Sequence, residues 1–175
     1  MMQGNEMVGE NILLVIAQVG IVFAGLTSVA EMFLRMVRKD CLPQDVTGMR
    51  FMIGHSLGAS FLALVPSILF YFRLSDAWVW GPSSALLCFF LLFKMLIQIK
   101  RIFNLTSAGF PPRKLMLLVL TYFPCSVGAM GAQFYNFITW RGVAPFLVGL
   151  TWLLLASTIQ FYVFLSEFQS RCARD

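Results

Sequence analysis

Charged residues are nearly absent from five long runs of the chain and crowd into the stretches between them. The runs cover about residues 12–34, 51–72, 77–99, 115–138 and 142–166. Each is long enough to cross a bilayer as a helix, which takes about 20 apolar residues at about 1.5 Å of rise apiece. The first carries no charge before Glu31, and the third none before Lys94. The second holds His55, Ser56, Ser60 and Ser67 as its polar members. Apolar residues follow one another continuously instead of alternating, and each run is roughly twice as long as a barrel strand. The pattern predicts an all-α integral membrane helical bundle with five transmembrane helices, forming one membrane domain over residues 1–175.

The fourth run is the least regular. Pro124 lacks an amide hydrogen and crowds the carbonyl of Leu120, and Gly128 and Gly131 follow closely. A kinked helix packed against neighbours is the expectation; a re-entrant segment is the alternative. The first eleven residues hold Glu6 and Glu10 and no Lys or Arg. A secretory leader begins with positive charge and has a short apolar core, so the first run reads as a retained helix. The connections Arg35–Arg50 and Lys100–Lys114 carry the turn formers Pro43, Gly48, Gly109, Pro111 and Pro112. They have room for a brief surface helix and for no folded domain. No internal repeat stands out, and an odd number of spans disfavours inverted transporter symmetry.

Composition narrows the class. Of 175 residues 59% are hydrophobic and 12% charged, about half the charge of a soluble domain. That excludes a soluble enzyme, a disordered tail, a collagen-like fibre and a disulfide scaffold. The cations also give an orientation. Arg35, Arg38, Lys39, Arg50, Lys100, Arg101, Arg113, Lys114, Arg171 and Arg174 fall on one side of the alternating spans. Arg73 and Arg141 fall on the other, and Lys94 lies within a span. The inside carries the excess of Lys and Arg, so the N-terminus is expected outside and the C-terminus in the cytoplasm. The net charge of +5 is accounted for by this topology and by contact with anionic headgroups, and nucleic acid is not an expected partner.

Little in the sequence points to chemistry. Cys41, Cys88, Cys125 and Cys172 are far apart with no paired spacing; they read as reduced, small apolar fillers, with palmitoylation open to Cys41 and Cys172. One His and scattered carboxylates offer no metal-ligand spacing, and no cofactor is implied. The tripeptide Asn104-Leu105-Thr106 matches a glycosylation acceptor, but its loop is assigned to the cytoplasm. Adjacent His55 and Ser56 point about 100° apart on a helix and make no catalytic dyad. Gly54–Gly58 lies in an apolar run without the following Lys of a phosphate loop. No catalytic residue is assigned, and no enzyme activity is expected.

Helices in lipid associate where small residues let backbones approach. Candidate contact faces are Gly20, Ala24 and Ser28 in the first span and Gly54 and Gly58 in the second. The fourth offers Gly128, Ala129 and Ala132, and the fifth Gly149, Ala156 and Ser157. Trp78, Trp80, Tyr135 and Trp140 fall near the outer boundary, as an aromatic belt would. Intramembrane ionisable groups are uncommon and tend to face a bundle interior or a wet cavity. Five residues of the inner half form a candidate polar cluster: Glu31, His55, Lys94, Gln98 and Gln160. Glu31 would be its anion, Lys94 its cation and His55 its titratable member. The plainer reading is depth: Glu31 and Lys94 lie near helix ends, and Lys snorkels to water. Gln133, Tyr135 and Asn136 make a looser outer patch, read as residues of the membrane boundary.

The segments Asp45-Val46-Thr47-Gly48-Met49-Arg50-Phe51-Met52, leading to Ser56-Leu57, and Pro145-Phe146-Leu147-Val148-Gly149-Leu150-Thr151-Trp152 are similar to small multi-span bacterial membrane proteins of uncharacterised function. The resemblance implies a bacterial inner-membrane setting and supplies no activity and no site residues. The expectation is an inner-membrane accessory or interaction component whose partners are the lipid bilayer, other membrane proteins or further copies of itself. A small channel or transporter subunit with a cytoplasm-facing polar cavity is the alternative.

Overall fold

The computed structural model describes residue 7 and residues 9–37, 43–107 and 112–172, and among these there is no strand. Five α-helices follow in order: α1 Glu10–Val37, α2 Pro43–Tyr71, α3 Asp76–Ser107, α4 Pro112–Tyr135 and α5 Val143–Cys172. A single π-helical turn, Asn136–Trp140, extends the end of α4. Among the described residues four helices are long and apolar enough to cross a membrane: Glu10–Phe33, Gly48–Tyr71, Asp76–Lys100 and Val143–Leu165.

The helices outrun the apolar runs. α2 begins at Pro43 and α4 at Pro112, two prolines that read as turn formers in the sequence. A proline in the first turn loses no intrahelical bond, and its fixed φ suits the helix. The connection between α1 and α2 therefore shrinks to residues 38–42, which lie outside the described residues together with the candidate lipidation site Cys41. α3 likewise continues past its apolar run to Ser107, and α5 to Cys172. Hydropathy ends at the first charges, whereas helical hydrogen bonding does not.

Helix starts and stops follow local chemistry. Glu10 and Asp76 stand in the first turns of α1 and α3, where a carboxylate complements the exposed amides. The Ser75 carbonyl accepts the first α3 amides, from Trp78 at 2.8 Å and Val79 at 3.1 Å. α2 stops in a tight turn in which Arg73 takes φ 56° and donates its amide to the Phe70 carbonyl at 2.9 Å. Helix continues through Pro66, Pro82 and Pro124.

Contacts divide the chain into two compact units. The α1 unit comprises Gly9–Leu64 and Leu153–Asp175; the α3–α4 unit comprises Met1–Val8 and Val65–Trp152. Stretches of α2 and α5 thus belong to each. In the α1 unit the buried stripe of α1 is Leu13, Ile16, Ala17, Gly20, Ala24 and Thr27, a three-and-four spacing along one helical face. The opposite flank, including Val15, Val19, Val22, Leu26 and Phe33, is exposed. Of the two neighbours Thr27 and Ser28 on the expected face, Thr27 is buried and Ser28 is exposed. In the α3–α4 unit the inward face of α4 is Tyr122, Ser126, Ala129 and Gln133, and Asn136 continues it into the π turn.

Two expectations about these faces are corrected. Gly128 is exposed and a Cβ there would meet nothing within 4 Å, so the inward face of α4 runs through Ala129. Trp80 is not part of an aromatic belt: it is buried and packs on Phe146 at 5.9 Å between ring centres. Trp78, Tyr135 and Trp140 are exposed as a belt requires.

Candidate functional site: two buried polar seams

The α1 unit is joined by a seam of small and hydroxyl side chains. Ser56 and Ser60 sit one turn apart on α2, so both face the same way. The Ser157 hydroxyl of α5 donates to the Met52 carbonyl at 3.0 Å. Its single proton is then used, so Ser56, 2.7 Å away, donates to Ser157. Ser60 shares its proton between the carbonyls of Ala17 on α1 at 2.9 Å and Ser56 at 3.0 Å. Gly20 makes this possible. A Cβ there would lie 2.6 Å from the Ser56 carbonyl oxygen and would collide with the Ser60 hydroxyl. Gly20 and Ser157 are contact residues as expected, but the α2 side of the seam is Ser56 and Ser60 instead of Gly54 and Gly58. A serine adds a hydrogen bond to close approach, which a glycine cannot supply.

The α3–α4 unit has a second seam. Asn136 is fully buried, and its side-chain amide is completely used. It donates to Ser84 of α3 at 2.6 Å and to the Gly142 carbonyl at 2.9 Å, and accepts the Gly142 amide at 2.9 Å. The Asn136 carbonyl accepts the Arg141 amide at 2.9 Å and closes the π turn, with Arg141 at φ 52°. One asparagine thus holds the passage from α4 into α5 and ties it to α3. One turn earlier, Gln133 donates to the Pro145 carbonyl. Its Oε1 is buried without a hydrogen-bond partner. Gly149 leaves the space that Gln133 and Leu87 fill; a Cβ would stand 2.6 Å from Gln133 Nε2 and 2.7 Å from Leu87 Cδ2. Further along, Trp152 donates to Ser126 at 3.1 Å and packs on Tyr122 at 5.8 Å. The expected boundary patch is therefore split: Gln133 and Asn136 are buried, and Tyr135 is exposed.

The candidate cluster is distributed over both units. Glu31, half-buried, continues the α1 stripe one turn beyond Thr27. His55 is fully buried on α2 and stacks on Phe51 at 3.9 Å. Its Nδ1 lies 2.9 Å from the Phe51 carbonyl; a carbonyl only accepts, so Nδ1 carries the proton. Gln160 is buried on α5 in the same unit. Lys94 and Gln98 belong to the α3–α4 unit. The Lys94 ammonium, half-buried, lies 5.3 Å over the Phe90 ring. Gln98, one turn on, is buried, and its Oε1 has no hydrogen-bond partner.

Cys88 and Cys125 are free thiols, and Cys88 donates weakly to the Met130 carbonyl at 3.8 Å. Among the described residues no group of three His, Cys, Asp or Glu side chains is placed to hold a metal ion. Chemically, the two seams bind helix to helix: their hydroxyls and amides are directed at backbone carbonyls and at one another. Sequence reasoning had not singled out Ser84 or Ser126. Ser56 and Ser60 stand in the sequence only as polar interruptions of the second run, and Asn136 only as a boundary residue; nothing in their spacing gives their partners. No protein-family model, no curated protein and no solved structure matches the chain.

Proposed function

We propose that the chain is a five-span protein of the bacterial inner membrane, N-terminus outside and C-terminus in the cytoplasm, acting as an accessory or interaction component. The observation that carries the reading is the use of buried polar side chains as helix fasteners. Ser56, Ser60 and Ser157 bond between segments of the α1 unit, and Ser84 and Asn136 between segments of the α3–α4 unit, as polar groups do in membrane bundles. The arrangement of α4 supports a fifth crossing. Asn136, just past its end, bonds Ser84 in the first half of α3. Met130, earlier in α4, accepts from Cys88, later in α3, so the two helices run antiparallel. At 24 residues α4 is about 36 Å long, too long for a half-membrane re-entrant turn.

The test is recovery from native membranes. A tagged chain solubilised in mild detergent, after cross-linking in cells, is expected to bring a defined membrane protein or a second copy with it. A clean monomer with no cross-linked neighbour contradicts the interaction reading.

The transporter or channel alternative is favoured by one observation, the buried and unpartnered Oε1 of Gln98 one turn from Lys94. A buried acceptor left unbonded costs about 1–3 kcal/mol, and groups kept at such a cost are often functional. In reconstituted vesicles that reading requires solute or ion flux that Lys94→Met or Glu31→Gln alters without loss of expression. Absence of flux, or flux indifferent to both variants, removes it.

A further inference from the structure

We propose that the end of the α3–α4 unit carrying Arg73 and Arg141 binds the phosphate group of membrane phospholipids. The inference rests on the membrane reading above. Arg73 and Arg141 are the two non-glycine residues with positive φ among those described, at 56° and 52°. Glycine or asparagine enters that left-handed region at less cost, and is the usual residue after a helix end. The turns ask only for a backbone amide, which Arg73 gives to Phe70 and Arg141 to Asn136. Under the orientation given by the other cations, these two also stand on the side where Lys and Arg are disfavoured. Two arginines therefore occupy positions that local structure and topology both assign to something else.

Their placement answers what they do there. Ser84 bonds Asn136, and Trp80 packs on Phe146, so the α2–α3 turn and the turn into α5 lie at the same end of the unit. Both arginines are exposed. Exposed Tyr71, Phe72 and Trp78 flank the first, and Tyr135 and Trp140, edge to face at 6.4 Å, flank the second. Aromatic rings of this kind settle at headgroup level, which sets the two guanidinium groups at the depth of lipid phosphates. A guanidinium fork matches phosphate oxygens in pairs. Among the described residues of this unit the one carboxylate is Asp76, in the first turn of α3, where the helix amides hold its charge. A cation at a helix carboxyl end also gains from the helix dipole, but an ammonium serves that purpose as well as a guanidinium.

The experiment compares the intact chain with R73N/R141N, R73K/R141K and the control G25A, at an exposed and open position of α1. First, membranes are washed with alkaline carbonate; release of the wild-type chain would remove the membrane reading and this proposal together. Retained protein is then purified in mild detergent, and bound phospholipid is quantified by native mass spectrometry. R73N/R141N, whose asparagines suit the backbone, is expected to hold about tenfold less lipid than wild type. R73K/R141K should fall between them, and G25A should match wild type. Equal retention by wild type and R73N/R141N, full retention by the lysine variant, or displacement by millimolar inorganic phosphate would overturn the proposal. Should the asparagine variant not fold, the lysine variant decides.

Discussion

At Gly20 the absence of a side chain sets how closely α1 meets α2. The atom a Cβ would strike is a backbone carbonyl, that of Ser56, and backbone on a packed helix cannot turn aside. Gly20→Ala should therefore cost about 1–3 kcal/mol, the range for forced overpacking. Gly25 on the same helix is exposed, with nothing within 4 Å of a built Cβ, so Gly25→Ala should be neutral or slightly stabilising. Reversible unfolding in mixed micelles checks the pair; equal midpoints would remove the close approach. The hydroxyl chain predicts coupling. Ser56→Ala and Ser157→Ala each break the bond between them, so their combined effect should fall short of the sum by about 0.6 kcal/mol or more. A double-mutant cycle reads it, and strict additivity would mean that the two hydroxyls do not interact. Gly20 and Ser157 were legible in the sequence as small residues at helical spacing. Their partners were not, because Ser56 and Ser60 look like ordinary polar interruptions until a facing carbonyl gives them a purpose.

Among the elements, the passage from α4 to α5 depends most on a single side chain. Removing the Asn136 amide leaves the Ser84 hydroxyl and both backbone groups of Gly142 without their partner. Asn136→Ala should destabilise by about 1–3 kcal/mol and speed hydrogen exchange at the Gly142 amide. Unchanged exchange there would show that the turn stands without its cap. The existence of the helices was evident from apolar runs and their ends were not. Pro43 and Pro112 occupy first-turn positions where proline favours helix, and sequence reading took them for turns. Around Pro124 the expectation is a continuing helix, and α4 does run through it to Tyr135. Its face was misjudged: Gly128 and Ala132 have the small-residue spacing, but Ser126, Gln133 and Asn136 have hydrogen-bond partners inward. Inside a membrane bundle a satisfied polar group orients a helix more strongly than a glycine does.

Across the whole molecule, sparse charge is the governing feature. Membrane character and helical class follow from it directly, and the four described spans agree. The candidate cluster was less legible, since sequence periodicity gives the face of one helix and says nothing of which helices meet. Glu31, His55 and Gln160 belong to one unit and Lys94 and Gln98 to the other, a division no single-helix pattern encodes. The seams, by contrast, lie within units and account for much of the buried polarity. The central claim is five crossings with the C-terminus in the cytoplasm, and topology reporters test it most directly. Fusions placed at Gly109 and after Asp175 are predicted to report the cytoplasm from both positions, and one after Gly142 the opposite side. Two cytoplasmic signals with an external one between them would match the account. An external signal at Asp175 or at Gly109 would contradict it.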